Sequence, residues 1–378
     1  MIIKNAKLIY LDKIEEGSIK IENGKISKIN PEVLEDDVVI DAEGLYLSPG
    51  FIDVHIHGAG GRDTMEGSLD AINTIAKSIA EHGTTSFTPT TMTVDRDEVK
   101  KAIAAIAEAK SVGTDGANVL GAHMEGPFIN GEMIGAQNPK YLAAPSIEAF
   151  KYMAGDHEDA VVSVTLAPEV PGAKELIKYL KEKDIVASMG HTKATYSEAM
   201  EGIKCGVCHA THLYNAMTPL HHRDPGVVGA IFDSNITTET ISDGIHISYP
   251  SLRVAYKQKT LDKVLLVSDA MMACSMPEGE YSLGGQKVIV KNGAARLENG
   301  ALAGSILTLD KAVKNVKDNS SYKLHEIVKM ATYNAARHCK VEDRKGKLQE
   351  GYDADVILFD EDININRVII GGKEIFNK

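Results

Sequence analysis

Six side chains suited to holding a divalent cation or moving a proton are spread along the chain: His55, His57, Glu125, His191, His212 and Asp269. Imidazole and carboxylate ligands suit zinc, iron, manganese or cobalt, and the set needs no thiolate to complete it. An ion held this way lowers the pKa of a water from 15.7 towards about 7 and polarises a carbonyl, two requirements for hydrolysing an amide at neutral pH. A carboxylate beside it takes the water's proton and returns it to the leaving amine, a role open to Asp269. The His55/His57 pair alone carries little weight, because 13 histidines in 378 residues give about half a pair at that spacing by chance. Position gives the set its weight. On a strand His55 and His57 face one way while Ile56 faces the other, and all six residues stand at the tips of predicted strands.

Eight apolar stretches read as those strands: 51–57, 86–90, 119–125, 161–166, 185–190, 207–212, 238–243 and 264–269. Amphipathic helical patterns over 69–82, 96–110, 173–183 and 249–258 separate several of them. Strands alternating with helices imply parallel pairing, and eight such units predict an α/β fold of the (β/α)8 TIM-like barrel type. The C-terminal strand tips of a barrel converge, so residues distant in sequence meet at one mouth. An open doubly wound sheet is the alternative. It would carry a glycine-rich phosphate loop after its first strand, and Gly58 to Arg62 (GAGGR) does not match that pattern.

Both chain ends read differently. Ile3, Ala6, Leu8 and Tyr10 lead to Gly17, and Ile19 and Ile21 lead to the hairpin signal Asn23-Gly24. Near the C-terminus, residues 356–359 and 368–370 are apolar and end at Gly371-Gly372. The expectation is a small β-sandwich domain built from 1–47 plus 348–378, flanking a catalytic barrel over 48–347.

Composition narrows the partners. A net charge of −12 and no basic stripe argue against nucleic acid. No apolar run approaches the roughly 18 residues of a membrane span. Nothing near Met1 resembles a signal peptide, and four cysteines in a chain of this length fit a reducing compartment, so the expected location is cytoplasmic. Cys205, Cys208 and His209 spell the C-x-x-C-H of haem attachment, but without export they read better as small packed thiols. Met271, Met272 and Met276 likewise read as packing.

The stretch from Pro49 to His57 (PGFIDVHIH) resembles the first-strand signature of the amidohydrolase superfamily. More narrowly, the chain resembles the N-acetylglucosamine-6-phosphate deacetylases. The segments that carry this likeness are His123 to Phe128 (HMEGPF), Val164 to Glu169 (VTLAPE), Gly190-His191 and Ala210 to Met217 (ATHLYNAM). Asp243 to His246 (DGIH), Val267 to Ala270 (VSDA) and Leu302 to Ser305 (LAGS) extend it in the same order.

The resemblance implies hydrolysis of the N-acetyl group of N-acetyl-D-glucosamine 6-phosphate to D-glucosamine 6-phosphate and acetate. It implies a principal divalent ion on Glu125, His191 and His212, with His55 and His57 available for a second, so one or two ions of Zn, Fe, Co or Mn per subunit. It makes Asp269 the catalytic carboxylate. It assigns substrate contacts to Ala136, Gln137, Asn215, Ala216, Arg223, His246, Leu302, Ala303, Gly304 and Ser305. Gln137 stands where many relatives carry histidine; it can donate a hydrogen bond but cannot become a cation. Arg223 and His246 are the candidates for the phosphate, since a guanidinium fork matches its oxygens. Plainer readings remain open: Arg223 as a surface partner of Asp224, Asn215 as a local turn residue, His221 and His222 as solvated loop. The resemblance also suggests a homodimer. The rival enzymes are cyclic-amide hydrolases, which bridge two metals with a strand-four lysine that 161–166 lacks, and deacetylases of a related N-acetyl sugar. A sugar-phosphate-binding protein without catalysis is the rival outside enzymes.

Overall fold

In the computed structural model, which describes residues 1–32 and 38–378, the chain's central stretch forms a ring of eight parallel strands. Residues 33–37, part of the expected terminal unit, lie outside the described residues. The strands are β1 (Phe51–Ile56), β2 (Thr84–Pro89), β3 (Ala122–Glu125), β4 (Val161–Leu166), β5 (Val186–Met189), β6 (His209–Ala210), β7 (Thr237–Ile241) and β8 (Val264–Val267). Strands β3 to β8 pair in sequence order, and β1 pairs with β2. A bridge between Thr90 and His123 joins β2 to β3, and one between Ile56 and Ala270 joins β8 back to β1. The ring is closed, as the alternation of strand and helix predicts.

Among the described residues ten α-helices separate and follow the strands: α1 (Leu69–Ala80), α2 (Arg96–Val112), α3 (Ile147–Ala154), α4 (Ala173–Glu182), α5 (Tyr196–Cys205), α6 (Gly226–Asp233), α7 (Tyr249–Lys259), α8 (Leu309–Asn319), α9 (Leu324–Ala331) and α10 (Tyr333–His338). Each has local reasons to form. Ser68 caps α1 by accepting from Ala71 N, and Ile72, Ile75 and Ile79 bury one face at helical spacing. Thr195 and Glu198 form a capping box on α5. Four helices match the predicted patterns within two residues or so. Helices α3, α5, α6, α8, α9 and α10 lie outside those patterns; α6 is apolar up to its last residue, Asp233, and so shows no polar face to read.

The predicted strands run past the observed ones at the mouth. Strand β5 stops at Met189, β6 at Ala210 and β8 at Val267, whereas the apolar patterns extend to 190, 212 and 269. The reason is backbone conformation: His191, His212 and Asp269 have φ of 48°, 28° and 48°, which no ladder accommodates. After β8 the chain makes an unpredicted antiparallel meander, Gly279–Leu283, Gln286–Lys291 and Ala294–Leu297, before returning to the mouth at Leu302.

The two chain ends build one continuous eight-stranded sheet, from Ile2–Ile9 and its neighbours through Tyr46–Pro49 to Val356–Phe359, Ile365–Ile370 and Lys373–Asn377. The sheet bends back so that Ile26 N donates to Tyr352 O and Gly351 N to Ile26 O. Ile3, Leu8 and Ile19 thereby share a core with Val356, Leu358 and Ile369. No helix among the described residues is long and apolar enough to cross a membrane.

Candidate metal centre

The six chemistry-bearing residues meet at the C-terminal end of the ring. Glu125 ends β3 and is central: its Oε1 lies 3.2 Å from His191 Nε2, 3.1 Å from His212 Nε2 and 3.5 Å from His55 Nε2. Its Oε2 lies 3.3 Å from His57 Nε2. Asp269 Oδ1 lies 3.3 Å from His57 Nε2 and 3.6 Å from His55 Nε2. Among the described residues three overlapping triplets could hold an ion: Glu125/His191/His212 and His55/His57/Glu125, which share Glu125, and His55/His123/Glu239 behind them.

The hydrogen bonds behind the rings fit metal ligation. His191 Nδ1 donates to Met133 O (2.9 Å), His57 Nδ1 to Thr90 O (3.3 Å) and His55 Nδ1 to Glu239 Oε2 (2.9 Å). Each bond places the proton on Nδ1 and leaves the Nε2 lone pair facing the centre, the arrangement ligating histidines adopt. His55 Nε2 is buried with no hydrogen-bond partner. A buried polar atom aimed at a carboxylate cluster calls for a cation.

Electrostatics agree. Burial alone would lower the pKa of His55 and His57. For His55 the charges of Glu239, Asp269 and Glu125 outweigh it and hold the imidazole well above its usual value. Hydrogen bonds to Asp269 and Glu125 take His57 up to about 9. The carboxylates thus draw positive charge into the site, the charge a divalent ion carries. Asp269 is buried, which favours its neutral form, yet His55 and His57 bring its pKa below the ordinary carboxylate value, so it is ionised and able to accept a proton.

A cavity of about 200 Å³ opens over this centre. Its walls include Ala136, Gln137, Asn215, Ala216, His246, Leu302 and Gly304 together with His57, Glu125, His191, His212 and Asp269. His246 Nδ1 is held by Asp243 Oδ2 (2.7 Å), so its other ring nitrogen is free for a ligand. Asn215 Nδ2 donates to His212 O and Leu213 O (3.2 and 3.1 Å), so only its carbonyl oxygen is available, and the turn reading of this residue holds beside the substrate reading. Gln137 is buried; its Nε2 donates to Glu125 Oε2 (2.7 Å) while its Oε1 accepts from Thr93 N (2.7 Å). Its amide holds Glu125, the candidate ligand shared by two triplets. At Gly135, φ is 54° and an added Cβ would lie 3.3 Å from the His191 ring, so glycine lets this loop pass close to the ligand.

Three expected contacts fall elsewhere. Ala303 is fully buried and pairs through its N–H with Ala295 O; Ser305 Oγ donates to Ser268 O. Both anchor the 302–305 segment from behind without lining the cavity. Arg223 is exposed, on a loop whose Leu220 is 55% exposed, and its Nη1 meets His222 Nε2 at 2.6 Å. It does not line the cavity of its own chain, and neither lysine nor arginine does so among the described residues.

Sequence reasoning missed Glu239, on β7, and His123 and His209, which lie within the ring. Glu239 sits in Thr-Glu-Thr, a pattern indistinguishable from a strand with one polar edge. Its burial could be known only from closure of the barrel.

Residues 46–375 match the amidohydrolase family. The chain is 39% identical over 376 residues to the N-acetylglucosamine-6-phosphate deacetylase of Lysinibacillus sphaericus, covering 99% of this chain and 97% of the relative. Its fold matches the crystal structure of the Pasteurella multocida N-acetylglucosamine-6-phosphate deacetylase with a TM-score of 0.94 at 32% identity, covering 99% of this chain and 98% of that one. A Mycobacterium smegmatis deacetylase mutant in complex with N-acetyl-D-glucosamine 6-phosphate superposes with a TM-score of 0.93 at 26% identity, over 100% and 99% of the two chains.

Proposed function

The chain belongs to the amidohydrolase family, and from that premise we propose that it hydrolyses N-acetyl-D-glucosamine 6-phosphate to D-glucosamine 6-phosphate and acetate. The observation that carries the reading is the meeting of Glu125, His191 and His212 around one point, with Asp269 at the same mouth. The named relatives support the substrate.

When bound, a divalent ion supplies Lewis acidity and brings a water's pKa into the neutral range. Glu125, His191 and His212 are the residues that would hold it, and His55 and His57 are placed for a second beside the shared glutamate. Ionised Asp269 takes a proton from the attacking water and delivers it to the sugar nitrogen as the carbon–nitrogen bond breaks, so the amine leaves neutral and the acyl group leaves as acetic acid, whose remaining proton passes to the amine or to solvent to give acetate. Gln137 keeps Glu125 in place. Ala216, the Asn215 carbonyl, Leu302 and Gly304 line the cavity and are the contacts proposed for the sugar.

The phosphate needs more positive charge than His246 provides. We assign the missing cation to Arg223 of a second copy in a homodimer: the loop that bears it is exposed, and the cavity lacks any cation of that kind. The division into 1–47 plus 348–378 and 48–347 is the domain assignment we favour, because the terminal sheet has a core of its own. Four free cysteines fit a cytoplasmic location.

The test compares acetate release from N-acetylglucosamine 6-phosphate, N-acetylglucosamine and N-acetylgalactosamine 6-phosphate. The expected order is a clear preference for the first. No acetate from any of the three would reject the deacetylase reading, and equal rates on the two phosphates would widen it to N-acetyl hexosamine phosphates in general.

A further inference from the structure

One carboxylate below the mouth touches a residue of each triplet built on Glu125 and also stands in the third triplet, with His55 and His123. Glu239 lies on β7, is 1% exposed, and has its Oε2 2.9 Å from His55 Nδ1 and 3.0 Å from the backbone N of His212. Its Oε1 accepts from His209 Nε2 at 3.2 Å, and its backbone oxygen accepts from Leu213 N at 3.0 Å. We infer that Glu239 is a positioning residue that sets both ion positions at once, by fixing the ring of His55 and the backbone turn that presents His212.

Two physical requirements converge on this side chain. His55 ligates through Nε2 only if its proton stays on Nδ1, and an acceptor-only carboxylate behind Nδ1 enforces that arrangement. His212 has φ of 28°, a conformation a β-carbon opposes, and its N–H has left the sheet ladder. Without an acceptor that buried N–H would be unsatisfied and the turn free to relax. Glu239 Oε2 supplies both acceptors from a single atom. His209 holds the other oxygen, so the carboxylate cannot rotate to favour one ion position over the other. Burial opposes the ionised form, but His55 and the His209 hydrogen bond outweigh it and keep the carboxyl well below its usual pKa. Glu125 reaches His55 and His212 at their Nε2 atoms, whereas Glu239 holds them from behind, at His55 Nδ1 and the His212 N–H.

The inference rests on the two-ion reading of the mouth and not on the identity of the substrate. Chelator-stripped wild type, Glu239→Gln, Glu239→Leu and, as a comparator on the same strand, Thr240→Val are titrated with Co²⁺ by calorimetry, with melting temperatures taken alongside. Wild type is expected to take two equivalents. Gln keeps one acceptor oxygen but loses the charge, so Glu239→Gln should hold the first equivalent and bind the second about 10–100-fold more weakly. Glu239→Leu should weaken both. Thr240→Val should lower the melting temperature without moving either equilibrium.

A Glu239→Gln variant that binds the second equivalent as tightly as wild type overturns the proposal, and that result can be read even if the leucine variant fails to fold. So does a wild type that takes only one equivalent. Two equivalents without acetate release would leave this proposal standing and reject the deacetylase reading.

Discussion

The barrel mouth and the terminal sheet use the same unusual backbone conformation for opposite ends. In the terminal unit the residues with positive φ include Asn5, Asn23 and Asn30, short polar side chains that tolerate the left-handed region in turns. At the mouth they include His191, His212 and Asp269, two of the proposed ligands and the proposed base. Such positions cost of order 1–3 kcal/mol each and persist only where the surroundings over-determine them. The sheet thus contributes stability through turns that are easy to make and an apolar core. The mouth spends part of that stability on aiming side chains inward. Mutations should therefore separate cleanly: those at the mouth abolish turnover with little effect on folding, and those in the sheet do the reverse.

The largest effect is expected at the mouth. Asp269→Asn keeps the shape but removes the proton acceptor, and should lower kcat about 10²–10⁴-fold while the melting temperature and metal content stay near wild type. A variant with near wild-type kcat would remove Asp269 from the reaction. Next is Leu8→Ala in the fully buried core of the terminal sheet, which should cost about 2–5 kcal/mol in a denaturant titration. Turnover per folded molecule should be unchanged; a matching loss of kcat would show that the two regions are coupled.

How much of this division could be read in the residues themselves differs between the same two regions. At the mouth His55, His57, Glu125, His191, His212 and Asp269 were legible because hydrophobic runs end beside them, and the resemblance supplied the cavity wall. What was not legible were groups whose role depends on closure or on a second copy: Glu239 needs β7 brought between β6 and β8, and Arg223 does not line the cavity of its own chain. The barrel's long strand patterns overshoot at β5, β6 and β8 because periodicity does not report a left-handed φ. The meander over 279–297 escaped because its strands are half-exposed and short. In the terminal unit the hairpin at Asn23-Gly24 was plain, but that all eight strands join in one sheet depends on pairing between chain ends some 300 residues apart, which local pattern does not encode.

A smaller effect tests the mouth's outer edge. Arg223→Ala should raise KM for the phosphorylated sugar about 10–100-fold, the worth of a hydrogen bond to a charged group, with little change for the unphosphorylated one. An equal change for both would reject the phosphate assignment. If the arginine is donated across a dimer, mixing Arg223→Ala with an inactive Asp269→Asn chain should restore part of the low-KM activity.

The smallest lies at the seam beneath the terminal sheet. Burial opposes ionisation of Asp353, but the Lys25 hydrogen bond (2.5 Å) and the charge of Lys345 bring its pKa down to about 2. A carboxylate depressed from about 3.9 in the unfolded chain adds stability that is fully present above that value and lost as pH falls towards 2. Wild type should therefore lose melting temperature more steeply than Asp353→Asn between pH 4 and 2, with no difference in slope near pH 7. Parallel slopes through the acid range would show that the pair adds nothing there.

The most direct test of the account is metal removal. Protein stripped with a chelator until elemental analysis finds no divalent transition metal should release no acetate from N-acetylglucosamine 6-phosphate, and adding back Zn²⁺, Mn²⁺, Co²⁺ or Fe²⁺ should restore release in proportion to the ion taken up. Full activity in the stripped protein would contradict a reaction centred on Glu125, His191 and His212.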